Sequence, residues 1–147
     1  MIQRFQSFVT GITVCYKYIQ RIKTMEMTEF GLKGTHVMCL FFLHQNPDGL
    51  TAAQLCHLCA EDKAAISRTL ATLQMKGYIL SRGRRYRAAL QLTEKGQQVA
   101  QKVDVLIAQW VSSGGDGLSE EERATFYRVL EHISCNLRDN MDNKNLL

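Results

Sequence analysis

Apolar side chains recur at three- and four-residue steps along most of the chain, the spacing of amphipathic helices. This spacing predicts a long first helix over residues 2–25. Two glycines in "FGLKGTH" (residues 30–36) end it. Residues 35–44 are apolar on nearly every side, so we predict that this second helix is the buried centre of the fold.

Two short helices are predicted next, over residues 51–59 and from Asp62, a helix-capping residue, to Lys76. Gly77 is typical of the position just beyond a helix end. In the second of these helices Ile66, Leu70 and Leu73 share one face. At 100° per residue the opposite face carries Ala64, Ser67, Arg68, Ala71 and Thr72.

The rest of the chain predicts a small β-ribbon followed by two helices. Residues 78–82 and 87–92 are short strands joined by the turn "GRRY". A helix starts at "TEKG" (residues 93–96), and "SSGGDG" (residues 112–117) is a flexible joint. Ser119 and Glu122 have the spacing of a capping box for the last helix. The predicted fold class is therefore mainly α with a small β-ribbon.

Charge is concentrated in the middle of the chain. Residues 61–102 contain nine Lys and Arg against three Asp and Glu, a net charge of +6 in a chain whose total is +4. The stretch "SRGRRYR" holds Arg82, Arg84, Arg85 and Arg87 with no acidic residue to offset them. A basic middle between less basic ends is typical of a protein that binds a polyanion.

Two short helices followed by a basic two-stranded ribbon are the parts of a winged helix-turn-helix, whose second helix fits the major groove of duplex DNA. Ribbon arginines would reach phosphates or the adjacent minor groove. The DNA backbone then supplies the negative charge that the arginine cluster lacks. The predicted DNA-binding residues are Lys63, Ala64, Ser67, Arg68, Thr72, Arg82, Arg84, Arg85 and Arg87.

At these residues the chain resembles the multiple antibiotic resistance regulator (MarR) family. The resemblance is carried by "LTAAQL", "DKAAISRTL", "MKGYI" and "LQLTEKG", with "FGLKGTH" ahead of them. The family wing usually has an aspartate one residue before a conserved arginine. Arg84 to Tyr86 contains no acid, so the residues do not show which of Arg84, Arg85 and Arg87 enters the minor groove.

The resemblance implies one MarR-like domain over residues 1–147, with a winged-helix core at 32–96 and dimerisation helices at 1–28 and 97–147. It also implies a homodimer in the cytoplasm that reads a pseudo-palindromic site on double-stranded DNA, and a repressor of its own or adjacent genes. Family members release DNA when a small molecule binds. The residues proposed to line such an effector pocket are Tyr16, Phe30, His36 and Trp110.

Two other functions stay open. "CHLC" (residues 56–59) allows a thiol- or metal-responsive regulator that uses Cys56 and Cys59, although structural zinc usually takes four ligands. Cys15 is a further candidate for oxidation, but packing is the commoner role of such cysteines. A protein-interaction module that has lost DNA binding is the other alternative.

No enzyme, cofactor or metal is predicted, because no Ser-His-Asp order, phosphate loop or paired carboxylates occur in the sequence. No apolar run approaches the roughly 18 residues that cross a membrane, and "FVTGITVCY" lacks a signal-peptide cleavage site. The five cysteines are odd in number, which suits reduced thiols in a cytoplasm.

Overall fold

A computed structural model describes residues 2–82 and 88–144 of the chain. The helices are α1 (Ile2–Met27), α2 (Gly34–Gln45), α3 (Ala52–Cys59), α4 (Lys63–Met75), α5 (Glu94–Gly114) and α6 (Glu120–Lys144). The strands are β1 (Ile79–Arg82) and β2 (Ala89–Leu92). This order confirms the predicted mainly α fold with a β-ribbon.

Internal contacts divide the chain into two compact units, Met1–Ile107 and Ala108–Leu147. In the first unit α2 contacts α1, α3, α4 and β2, so it is the central helix, as predicted. Val37, Cys39, Leu40 and Leu43 of α2 are buried. Buried side chains from the surrounding elements complete this core: Met27, Leu32, Leu55, Ile66, Leu70, Leu73, Ile79, Leu90, Val99 and Val103.

Local hydrogen bonds explain where the two short helices begin and end. The side chains of Thr51 and Gln54 form a capping box, each accepting from the other's backbone N–H. The Asp62 carboxylate accepts from the backbone N–H of Ala65 at 2.7 Å and caps α4. Gly77, with φ of +72°, follows the end of α4 in the left-handed conformation that favours glycine.

β1 and β2 pair antiparallel, with Ile79 opposite Leu92 and Arg82 opposite Ala89. Leu50 adds a third short segment to this ribbon, because its backbone exchanges hydrogen bonds with Leu90 at 3.1 and 2.9 Å. No local pattern in the sequence predicts this bridge, because its two residues are forty positions apart. The bridge ties the ribbon to the segment that leads into α3.

The second unit holds the end of α5 and all of α6. Residues 112–114, predicted to be part of a flexible joint, continue α5 instead. The capping box at the start of α6 is confirmed: Ser119 and Glu122 exchange hydrogen bonds at 2.8 and 3.3 Å. Donation from the Ser119 backbone and hydroxyl lowers the pKa of the Glu122 carboxyl. None of the described helices is long and apolar enough to cross a membrane.

Gly96 in the first turn of α5 lies against the backbone of Tyr78. A Cβ at this position would overlap the Tyr78 carbonyl oxygen, and Leu92 Cδ2 would lie 3.3 Å away. Gly96→Ala should therefore lower the free energy of unfolding by about 3 kcal/mol, since backbone rather than a flexible side chain must move. Urea denaturation followed by circular dichroism measures this change.

Gly11→Ala is the matched control, because nothing lies within 4 Å of a Cβ at Gly11 in the middle of α1. It should raise stability by about 0.5–1 kcal/mol. Equal stability of the Gly96→Ala variant and the wild type would contradict the close contact between α5 and the residue that precedes β1.

Candidate nucleic-acid interface

The buried and exposed residues of α4 alternate as an amphipathic helix requires. Ile66, Leu70 and Leu73 are buried on the side that faces α2. The opposite side carries Ala64, Ser67, Arg68 and Ala71, all exposed, and Lys63 is exposed in the first turn of the helix. The apolar face thus fixes how the helix is rotated, and the polar face remains accessible to a ligand.

Thr72 differs from the other predicted contact residues of α4. It is half-buried, and its hydroxyl donates to the Arg68 carbonyl oxygen at 3.1 Å. The hydroxyl proton is therefore engaged inside the helix, and its oxygen retains acceptor capacity. Thr72 is less available for contact than Ser67, which lies more than one turn closer to the start of α4.

A groove of about 540 Å³ runs alongside the exposed face of α4. Its walls come from α3, from α4 and from the ribbon at Ser81, Ala88 and Leu90. Lys63 and Ser67 lie on its α4 wall, while Ala52 and Ala53 of α3 form the opposite side. The space between the two helices and the ribbon is therefore lined by small side chains, by Lys63 and Gln74, and by the apolar Ile66, Leu70 and Leu90.

The wing arginines are only partly placed. The backbone of Arg82 ends β1, which sets the ribbon beside the groove. Arg84, Arg85 and Arg87 lie outside the described residues. Their predicted role stays a prediction that rests on sequence: a turn joining β1 to β2 with three arginines among residues 83–87.

The residues proposed for an effector pocket occupy different environments. Tyr16 on α1 is 62% exposed, Phe30 is half-buried beneath the Lys102 ammonium, and His36 is buried in the first turn of α2. Trp110 is half-buried in the second unit. Neither the groove beside α4 nor the cavity at His44 is lined by these four, so the pocket stays a prediction.

His36 is tied to the residue that precedes α2. Burial lowers the pKa of its imidazole, and its Nδ1 lies 2.9 Å from the backbone N of Lys33 and 3.1 Å from the Lys33 carbonyl oxygen. Its Nε2 is buried without a hydrogen-bond partner among the described residues. The side chain fixes the entry into α2 rather than presenting a charge.

His44 on α2 has an acidic partner on another helix. Its Nδ1 lies 2.8 Å from Asp104 Oδ2 on α5, sixty residues along the chain. A cavity of about 440 Å³ beside it is lined by Leu43, His44, Pro47, Gln91, Leu92 and Gln97. No local spacing rule connects positions so far apart, so this pair joins α2 to α5 without a signal in the sequence.

Cys56 and Cys59 are half-buried rather than packed in the core, and the neighbouring Leu58 is 39% exposed. In the described part of the chain no group of three or more His, Cys, Asp or Glu residues is placed to hold a metal ion. Cys59 instead lies close to Cys39 of α2, with 3.8 Å between the two sulfurs.

The model of the MarR family matches residues 30–85 of this chain, which run from the entry of α2 through α4 into the wing. Over this segment the chain is similar to the MarR family. The matched segment contains the helix-turn-helix pair that carries Lys63, Ser67 and Arg68. This confirms the resemblance inferred from the sequence motifs.

Solved structures of MarR proteins share the fold. A protein from Listeria monocytogenes, assigned to the MarR family and complexed with a 26mer DNA, is 21% identical over 90% of this chain and 89% of its own, with a TM-score of 0.82. A MarR transcriptional regulator from Methanosarcina mazei Go1 is 19% identical, with coverage of 90% and 91% and a TM-score of 0.77. A MarR protein from Peptoclostridium difficile is 19% identical, with coverage of 91% and 89% and a TM-score of 0.81.

The Asp62 cap sets where the candidate recognition helix begins. Asp62→Ala removes the carboxylate that accepts from Ala65 N–H and should lower the free energy of unfolding by about 1 kcal/mol, because one helix-end donor loses its partner. Asp62→Asn keeps an acceptor oxygen and should stay within a few tenths of wild type. Urea unfolding of the three proteins measures the difference, and equal losses in both variants would contradict the capping role.

Proposed function

We propose that this protein is a homodimeric, sequence-specific regulator that binds double-stranded DNA through the exposed face of α4. The observation that carries the proposal is the arrangement of that face. Ala64, Ser67 and Arg68 are exposed on the side of α4 opposite the one anchored in the core, and Lys63 is exposed in the first turn of the same helix. The DNA bound by the L. monocytogenes protein of the same fold supports this interpretation.

The exposed residues of α4 suit different contacts with DNA. Ala64 and Ser67 are small, so the helix can lie close to the floor of the major groove. The Arg68 guanidinium can donate two hydrogen bonds to guanine O6 and N7. Lys63, in the first turn of α4, suits a phosphate, and the helix N-terminus adds positive potential there.

The wing supplies the second contact. With Arg82 ending β1 and three further arginines before β2, the ribbon carries four cations beyond the recognition helix. Guanidinium groups are attracted to phosphates and to narrow minor grooves. We therefore assign Arg82, Arg84, Arg85 and Arg87 to backbone or minor-groove contact, which adds affinity, while α4 supplies the choice of sequence.

The exposed apolar stripes of α1 and α6 support a dimer. On α1, Phe5, Val9 and Ile12 are 68%, 41% and 39% exposed, and on α6 Phe126 and Leu137 are 53% and 55% exposed. Contiguous apolar surface of this kind is typical of an interface. We propose that residues 1–28 and 97–147 bring two chains together, so that two α4 helices read half-sites about one helical turn apart.

We further propose that the protein acts in the cytoplasm as a repressor of its own or adjacent genes. A dimer bound across a promoter blocks polymerase by occupancy alone and needs no activating surface. Release by a small molecule is the family behaviour that Tyr16, Phe30, His36 and Trp110 would serve. Because Trp110 is the single tryptophan of the chain, its fluorescence reports directly on binding near that residue.

The wing is tested by the salt dependence of DNA affinity. The double variant Arg84→Ala and Arg85→Ala should weaken binding to the protein's own upstream DNA. It should also reduce the slope of log Kd against log salt by about 2, because two phosphate contacts no longer release counterions. Fluorescence anisotropy over a range of salt concentrations measures the slope.

The matched control removes two arginines from α6. Arg128→Ala with Arg138→Ala lowers the net charge equally, and Arg128 points away from the apolar stripe of that helix. The slope of this control should equal that of wild type. Identical slopes in the wing variant and wild type would show that Arg84 and Arg85 do not contact phosphate.

The dimer is tested by placing a charge on the α6 stripe. Phe126→Glu should dissociate the protein into folded monomers, since burying a carboxylate in an apolar interface is costly whereas the exposed side chain contributes little to the monomer. Sedimentation velocity at micromolar concentration measures the mass. Met75→Glu, at an 80% exposed position at the end of α4, is the control and should remain dimeric. A monomeric wild type would refute the proposed interface.

A further inference from the structure

Two thiols from different helices approach each other beside the helix-turn-helix. Cys39 is fully buried in α2, and Cys59 is the half-buried last residue of α3. Their sulfurs are 3.8 Å apart, and within residues 2–82 and 88–144 no other pair of thiols forms such a contact. The pair is twenty residues apart in sequence, so the packing of α2 against α3 creates it.

The two sulfurs are close enough that a small movement would allow a disulfide to form. A disulfide has a sulfur–sulfur length of about 2.05 Å, so the sulfurs must approach by about 1.8 Å. Cys59 is the last residue of α3, half-buried next to the turn at Ala60 with φ of +53°, so a shift of this helix end changes the sulfur–sulfur distance. Cys39 is fixed within the buried central helix. A small adjustment at the end of α3 therefore closes the gap.

The two thiols have different acidities. Hydrogen bonding from the Cys39 thiol lowers the pKa of Cys59, and the Lys23 ammonium favours the same thiolate. The pKa of Cys39 is raised, because its proton is donated to Cys59 and the side chain is buried. Cys59 is thus the sulfur that more readily becomes a thiolate and reacts first, and Cys39 is left to lose its proton when it attacks the oxidised Cys59.

The geometry points to Cys39 and Cys59 as a redox-active pair that hydroperoxides convert into an intramolecular disulfide. In the first step the Cys59 thiolate attacks the terminal oxygen of the peroxide, ROOH. The O–O bond breaks, and the products are a Cys59 sulfenic acid and, after protonation, the alcohol ROH. In the second step the Cys39 thiol displaces water from the sulfenic acid and forms the S–S bond. Overall, two thiols and ROOH give one disulfide, ROH and water.

The sequence left open a thiol-responsive role for Cys56 and Cys59. The thiol that contacts Cys59 belongs to Cys39 of α2. Cys56 instead lies on the wall of the groove beside α4. Cys15 is exposed on α1. Neither has a second thiol at hydrogen-bond distance in the described part of the chain.

The disulfide would act on the DNA-binding helix, a consequence that rests on the proposed function. Cys59 lies three residues before Asp62, the N-cap of α4. Pulling the end of α3 toward α2 therefore displaces the turn that positions Lys63, Ala64 and Ser67. We expect oxidation to weaken DNA binding about tenfold, within the usual range of coupling between two sites.

Peptide mapping tests the pair directly. The full-length protein is treated with cumene hydroperoxide, its free thiols are alkylated, and it is digested with trypsin and a protease that cleaves before aspartate. Cleavage before Asp48 separates residues 34–47, which contain Cys39, from residues 48–61, which contain Cys56 and Cys59. The expected product is these two peptides joined by one disulfide, which dithiothreitol separates.

Matched cysteine variants decide which thiol is involved. Cys56→Ser should form the same cross-link, whereas Cys59→Ser should form none. Cys39→Ala should form no cross-link and should leave oxidised Cys59 as a sulfenic acid that a dimedone probe labels, formed more slowly than in the wild type because the hydrogen bond that lowers the Cys59 pKa is gone. Circular dichroism confirms that the buried site still folds. A cross-link that persists in Cys59→Ser, a Cys56–Cys59 disulfide, or no disulfide in the wild type would each overturn the proposal.

Anisotropy measurements on the same samples separate this inference from the proposed function. Oxidised wild type should bind its upstream DNA about tenfold more weakly than reduced protein, with recovery in dithiothreitol and no effect in Cys59→Ser. Unchanged affinity in fully cross-linked protein would refute the coupling. Failure of the reduced protein to bind any duplex would refute the proposed function, while the peptide map still decides whether the thiol pair exists.

Discussion

The packing of α4 against α2 is the contact on which the rest of the structure depends. Ile66, Leu70 and Leu73 are buried against the central helix, and burial of each such side chain stabilises the fold by about 1.5–3 kcal/mol. A helix anchored along one face has a fixed rotation. Ser67 and Arg68, at intervening positions, must then face outward. Core packing therefore determines which side chains are available to DNA.

The same constraint applies to the ribbon and to the helix that follows it. Leu90 is buried and bonded to Leu50, so β2 is fixed to the segment entering α3. Thr93 caps α5 by accepting from the Gly96 backbone N–H, and its hydroxyl donates to the Gly77 carbonyl oxygen at 2.7 Å. These contacts connect the end of α4, the ribbon and the start of α5. The base of the ribbon is therefore fixed by main-chain bonds of Leu50 and Leu90 and by the Thr93 side chain.

The sequence was a good guide wherever structure follows from local patterns. Periodicity located the helices, and Asp62, Gly77 and the Ser119–Glu122 pair marked helix ends that the structure confirms. Contacts between residues far apart in the sequence could not be predicted from it. The His44–Asp104 pair, the Leu50–Leu90 bridge and the Cys39–Cys59 contact join residues 20 to 60 positions apart, and no spacing rule reports such contacts. Flexibility was also overestimated at residues 112–114, where helix α5 continues through Ser112 and Ser113.

We propose that the outer face of α4 enters the major groove of DNA. Photo-crosslinking from that face tests this proposal. A photoreactive phenylalanine analogue replaces Ser67 in one protein and Glu131, exposed on α6, in another. Both are irradiated with the upstream duplex. The account predicts crosslinks to bases from position 67 and none from position 131. Crosslinking from position 131 alone would contradict it.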